Sequence, residues 1–210
     1  FVTKLNFGVK YAENIEDITT YVADPQFSLR YDGHIAGGFD QDSGEWTRAA
    51  IRMNVAGGKL SFNGEANLID VQVQKGAELG GNATFTVDQF TNNGTLSPGN
   101  SIGKVSIKGD YVEGPDGRLK LEFDASGQTD EIQIEGIAKD SNNVPLESFS
   151  TVFAPAADYY SQPITVDFSS AVALIVKDSA GHNTVSHGQL KLVSETSGAM
   201  DLDVDSPTLT

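Results

Sequence analysis

Three histidines, 29 carboxylates and no cysteine set the limits on the chemistry this chain can carry. Nucleophilic catalysis needs Ser, Thr or Cys beside a base. With no Cys and no G-x-S-x-G turn, the nearest grouping is Ser186 with His182, His187 and Asp178. In a chain rich in Ser and Asp such proximity is cheap, and it carries no catalytic assignment. A zinc centre asks for H-E-x-x-H or clustered His and carboxylates; His182 and His187 lack that spacing, and His34 stands alone. Glycoside hydrolysis asks for two carboxyl groups across one sugar bond. Glu78, Asp88, Glu122, Asp124, Asp130 and Glu131 are the acids on strand-like segments, and nothing marks two of them as desolvated. Calcium is the one cofactor with matching oxygen clusters, at Asp40/Asp42 and at Asp201-Leu202-Asp203-Val204-Asp205. The EF-hand spacing and the Gly-rich calcium nonapeptide are both missing, so these read as solvated acidic segments. Asn82-Ala83-Thr84 and Asn93-Gly94-Thr95 match the glycosylation acceptor pattern but read as turns. The expectation is no catalytic residue, no metal centre and no cofactor.

Aromatic side chains leave a different opening. Trp46, Tyr21, Tyr31, Phe39, Tyr159 and Tyr160 sit in or near loop-like segments, and sugars or protein partners dock on such rings. Trp46 and the Tyr159-Tyr160 pair are the candidate ligand-binding residues; the others are expected to pack under loops. The formal net charge of −15 and pI near 4.4 argue against nucleic acid, which needs Lys/Arg patches, and against anionic membrane surfaces. The most apolar stretch, Ala171 to Val176, is far too short to span a bilayer. Phe1 in place of an initiator Met, with no signal peptide, reads as a fragment or mature chain.

The elements that must position these residues are β-strands. Leu5, Phe7, Val9 and Tyr11 alternate with polar residues, as do Phe27, Leu29 and Tyr31, and Ile51, Met53 and Val55. Glu13 to Asp17 reads as a turn or helical corner, Gly33 to Gly38 as a Gly-rich corner. From residue 58 the chain becomes periodic: Gly58, Gly76 and Gly94 are evenly spaced, and Gly114 and Gly136 continue the series more loosely. A period of roughly 18 to 22 residues holds three short strands and three turns, the unit of a β-solenoid. Leu60, Phe62, Val71, Val73, Leu79, Phe85, Val87, Leu96, Ile102, Val105, Ile107, Leu119, Leu121, Phe123, Ile132 and Ile134 are the expected inward residues. Ile164 to Phe168, Val172 to Val176 and Leu190 to Leu192 are further strand candidates, with turns at Asp178 to Asn183 and Val185 to Gly188. Three regions follow: 1–57, an irregular β segment, first coils or an insertion; 58–136, regular coils; and 137–210, further coils or a β-sandwich-like cap with a frayed acidic tail.

The run Asn92 to Lys108, NNGTLSPGNSIGKVSIK, carries two tight turns and two very short strands. With Gly109-Asp110-Tyr111 it resembles the GTL-x-PGNSIG-x-L-x-V-x-GDY segment near the C-terminal end of bacterial autotransporter (type V secretion) passengers. The likeness extends over roughly residues 57 to 140. It implies a right-handed parallel β-helix at the bacterial cell surface, secreted through the outer membrane. The partner it implies is the protein's own C-terminal outer-membrane barrel, not in this chain. The segment itself resembles the autochaperone region, which folds early and templates neighbouring coils. The expected function is therefore a non-catalytic stalk. The alternatives are an adhesin module whose loops bind host glycan or protein, the scaffold of a surface protease or esterase whose catalytic domain lies upstream, and a polysaccharide-cleaving β-helix.

Overall fold

A computed structural model describes residues 16–20, 28–124, 126–156, 171–177, 183–187 and 189–192. Strands are β1 (Glu16–Thr20), β2 (Ser28–Ile35), β3 (Gly38–Asp40), β4 (Glu45–Thr47), β5 (Ile51–Val55), β6 (Lys59–Asn67), β7 (Asp70–Val73), β8 (Glu78–Gly81) and β9 (Ala83–Asn92). They continue as β10 (Thr95–Pro98), β11 (Lys104–Glu113), β12 (Arg118–Phe123), β13 (Glu131–Glu135), β14 (Ala138–Asp140), β15 (Ser148–Pro155), β16 (Val172–Lys177), β17 (Asn183–His187) and β18 (Gln189–Leu192). No helix occurs among the described residues. Sixteen strands form one curled, half-barrel sheet, and β3 with β4 form a separate hairpin. Within the large sheet every pair is parallel except β16 with β17.

The pairings fall into three columns. The first aligns Leu29, Leu60, Leu79, Leu96, Leu119 and Thr151 in successive register. The second aligns Ile35, Ala66, Phe85, Ile107, Ile134 and Leu174. In the third, Ile18, Met53, Val71, Phe90, Tyr111 and Ala138 align. Ile18 apart, a period-two side-chain pattern puts these residues on the concave face and their neighbours on the convex one. Leu60, Leu79, Leu96, Leu119, Phe85, Ile107, Phe90 and Tyr111 are all buried, each such burial contributing roughly 1.5–3 kcal/mol. Aromatic rings run through this interior from Tyr31 to Phe62, Phe85, Phe90, Tyr111 and Phe149, with centroids 5.4 to 6.1 Å apart.

Corners explain how long strands serve two columns. The sequence predicts very short strands; instead β6, β9 and β11 each bend through a corner without breaking. β6 pairs with β8 through its first half and with β9 through its second. In β11 the register shifts at Gly109, where a Cβ would collide with the Val87 carbonyl oxygen; only Gly permits that approach. Asn side chains tie one corner together: Asn63 Nδ2 donates to Asp32 Oδ1 (2.7 Å), Asn82 N–H to Asn63 Oδ1 (3.0 Å) and Lys104 N–H to Asn82 Oδ1 (2.8 Å). The first glycosylation-like Asn is thus a corner residue, and the second, Asn93, accepts from the Asp116 N–H.

Several expectations shift. β1 occupies the described part of the predicted Glu13–Asp17 corner. Gly33 belongs to β2, and the corner lies at Ala36 and Gly37. Ile102 is half-buried in the turn between β10 and β11, while the other fifteen predicted inward residues are buried. The predicted turn Val185–Gly188 is largely strand, because β17 runs through His187 to pair with β16. Pairing also continues across residues 57 and 136, through β2 with β6 and β12 with β15. The predicted strands at 5–11 and 164–168 lie outside the described residues.

Candidate functional site

Between β2 and β5 the chain leaves the large sheet as a hairpin. The sequence Asp40-Gln41-Asp42-Ser43-Gly44 dictates it. Asp40 Oδ1 accepts from the N–H of Asp42 (2.9 Å) and of Ser43 (3.4 Å), and Gly44 takes φ +73° while its N–H donates to the Asp40 carbonyl (2.8 Å). An Asp side chain closing its own turn is a strong local signal. The backbone donors hold the Asp40 carboxyl below the usual range. The acidic loop considered for calcium is therefore a turn, and no group of three or more metal-ligating side chains occurs among the described residues. Asp201, Asp203 and Asp205 lie outside those residues.

Two connections hold the hairpin down. Asn67 Nδ2 donates to the Trp46 carbonyl (2.7 Å), and Arg48 grips Asp88 through both guanidinium nitrogens at 2.8 and 3.0 Å. Trp46 stacks on His34 (centroids 4.7 Å, 17°) and meets Phe39 edge-on at 5.2 Å. His34 Nδ1 also lies 3.7 Å from Glu65 Oε2. Phe39 and Trp46 are nonetheless 52% and 37% exposed, unusual for large apolar side chains among the described residues.

Beneath β4 lies a groove of about 360 Å³. Gly44, Glu45 and Trp46 form one wall; Glu65 and Asn67 from β6, Thr84 and Thr86 from β9 and Lys108 from β11 form the floor. The floor follows from register: Glu65 pairs with Thr84, Asn67 with Thr86, and Thr86 with Lys108 on the convex face of the second column. The sequence reading picks out Trp46 but none of these floor residues. Their signal is the polar half of the alternation whose apolar half marks the core. Tyr159, Tyr160, Tyr21 and His182 lie outside the described residues. Tyr31 packs flat on Phe62 (5.4 Å, 5°) as its register partner between β2 and β6, not under a loop.

Most of the acids considered for glycoside hydrolysis lie in separate ion pairs and turns; Asp130 and Glu122 are the two that adjoin. Glu78 pairs with Lys59 (2.8 Å), Asp88 with Arg48, Glu131 with Lys104 (3.1 Å) and Glu122 with Lys120 (3.6 Å); Asp124 caps its own turn. Asp130 differs: fully buried, it accepts from the N–H of Gly103 and of Glu122, both at 2.7 Å, and burial pushes it up to about 7 against those donors. Glu113, unremarked in the sequence, is also pushed up to about 7 by burial. Its oxygens take the Ser150 N–H (3.0 Å) and the Tyr111 hydroxyl (3.4 Å), and Asn92 Nδ2 donates to that hydroxyl (3.0 Å). Both perturbed carboxyls thus join neighbouring strands, and neither lines the groove.

Comparison with protein-family models, with curated proteins and with solved structures found no match.

Proposed function

We propose that the curled sheet is a right-handed parallel β-helix, and that the chain is a non-catalytic passenger segment of a bacterial autotransporter. In this reading it is a stalk that carries more distal segments at the cell surface. It also templates their folding during secretion through the outer membrane, where its own C-terminal barrel is the partner. The observation that carries the reading is the order in which the chain visits its columns. It passes from first to second to third and returns to the first, so that Leu60, Leu79, Leu96 and Leu119 lie beside one another. Supporting it is the place of the segment that resembles the autotransporter signature. Leu96 sits mid-column, and Gly99 and Gly81 exchange N–H···O bonds of 2.9 and 3.3 Å across the corner. Asn100 Oδ1 accepts from Ser61 (2.9 Å), reaching a strand laid down earlier in the chain.

Templating follows from repeat physics. A stack of circuits gains stability from each neighbour interface, so a well-packed group of circuits seeds the rest. Leu96 to Ile134 holds Val105, Ile107, Tyr111, Leu119, Leu121, Phe123 and Ile132, all fully or almost fully buried. Deleting Leu119 to Ile134 is expected to remove hydrogen-exchange protection from residues 59–92 as well. Native protection of those residues without the deleted strands would overturn the templating role. Reading the coding sequence on both sides tests the secretion role: a signal peptide upstream and a run of amphipathic strands downstream are expected, and the absence of both would refute it.

A further inference from the structure

We propose that the groove between β4 and the convex face of the second column is a binding site for a short neutral saccharide of one or two rings. The site is independent of the secretion role, since a free-standing β domain would present the same groove.

Trp46 is fixed from three sides, by the His34 stack, the Phe39 edge and the Asn67 bond to its carbonyl. The floor is unspent. Among the described residues the Thr84 and Thr86 hydroxyls and the Lys108 ammonium take part in no side-chain hydrogen bond or ion pair, while most neighbouring cations and acids on the same sheet are paired. Thr84 and Thr86 stand on β9, which is hydrogen-bonded to β6 on one side and β11 on the other. They are therefore preorganised, and a ligand gives up little binding energy to order them. A sugar ring has an apolar C–H face that suits an indole edge or face and a rim of hydroxyls that suits a row of Thr donors and acceptors.

Size and charge narrow the class. A volume of about 360 Å³ is near the lower end of small-molecule sites, roughly 300–1,000 Å³, which fits a short saccharide. Glu45 and Glu65 face the same space as Lys108, which leaves the groove with a small negative excess, and the chain as a whole carries −15. Phosphates, nucleotides and acidic sugars are repelled; a neutral ring is not.

Trp46 is the only tryptophan in the chain, so its emission reports on the groove directly. The intact chain is titrated with cellobiose, maltose, lactose, mannobiose and N,N′-diacetylchitobiose, with a glucuronic-acid disaccharide and an extended tetrapeptide as comparators. At least one neutral disaccharide is expected to shift the Trp46 emission saturably, with a dissociation constant of about 0.1–5 mM, and to bind more tightly than the acidic disaccharide. Thr84→Val with Thr86→Val keeps strand-favouring shape and removes both hydroxyls. It is expected to weaken binding about tenfold while the thermal midpoint stays within about 2 °C. Trp46→Phe, read by calorimetry, should weaken the same sugar. The proposal is overturned by no saturable response to any neutral disaccharide up to about 20 mM, since affinity that weak is no site. It is equally overturned by undiminished binding in the double Thr variant, or by a response to the tetrapeptide alone.

Discussion

The circuits around Leu60, Leu79 and Leu96 and those around Leu119 and Thr151 are built on the same columns but closed by different means. In the earlier group the turns are short and sealed by Gly and Asn: Gly58 and Gly76 take φ +60° and +78°, and Asn63 and Asn82 bond the next corner. In the later group longer loops are closed by acids. Asp124 accepts from the N–H of Ser126 and Gln128, Asp140 from the N–H of Asn142 and Val144, buried Asp130 bonds Gly103 and Glu122, and half-buried Glu113, at the end of the Leu96 circuit, reaches forward to Ser150. An apolar interior with amide corners is indifferent to pH. An interior whose seams are carboxyls is not. One topology thus carries two kinds of stability, and the contrast is open to direct attack.

The largest expected effect is in the earlier group. Phe85→Ala removes a fully buried ring that meets both Phe62 and Phe90 and should cost about 3–5 kcal/mol in urea unfolding. Leu96→Ala, in mid-column, should cost about 2–5 kcal/mol. A loss under about 1 kcal/mol at either position would mean the column is not the core. Asn92→Ala should cost about 1–3 kcal/mol, because it strips a partner from the buried Tyr111 hydroxyl and an acceptor from the Gly94 N–H.

The pH test separates the two groups. The Glu113 carboxyl is about 7 in the folded chain against 4.5 ordinarily, so between those values the folded state holds a proton that the unfolded state has released. Its contribution is fully present below about 4.5 and is lost as pH rises through about 7. Unfolding midpoints should fall from pH 5 to pH 8; Glu113→Gln should reduce that slope and leave the part due to Asp130, which burial also pushes up to about 7, and an unchanged slope would locate the pH dependence elsewhere. Smallest of all should be Lys75→Ala, which breaks an exposed pair with Asp116 at 2.9 Å and should move stability by less than about 1 kcal/mol.

The sequence made the core legible because apolar residues alternate at period two within circuits of nearly constant length; Leu60, Phe85 and Ile134 are found that way and are buried. It misplaced the corners because a strand that bends at Gly64 or Gly109 keeps its alternation and sends no break signal. Tyr111 is absent from the expected core and Glu113 goes unremarked because an alternating aromatic and acid look the same on a surface strand as in a buried seam. In the groove, Trp46 was conspicuous by type, whereas Thr84, Thr86 and Lys108 become neighbours only through register between β6, β9 and β11. Asp40 read as a loop acid, and only the bonds it makes to Asp42 and Ser43 reveal a turn closure.

The most direct test of the stacked columns uses the absence of native cysteine. Thr84 pairs in register with Ser106, and Ser106 with Gln133. Neighbouring strands lie about 4.8 Å apart, within reach of a disulfide, and next-but-one strands at about 10 Å lie beyond it. Mild oxidation of the folded chain should therefore cross-link Thr84→Cys with Ser106→Cys, and Ser106→Cys with Gln133→Cys, but not Thr84→Cys with Gln133→Cys. Equal cross-linking of all three pairs, or of the third alone, would contradict the column order on which the whole account rests.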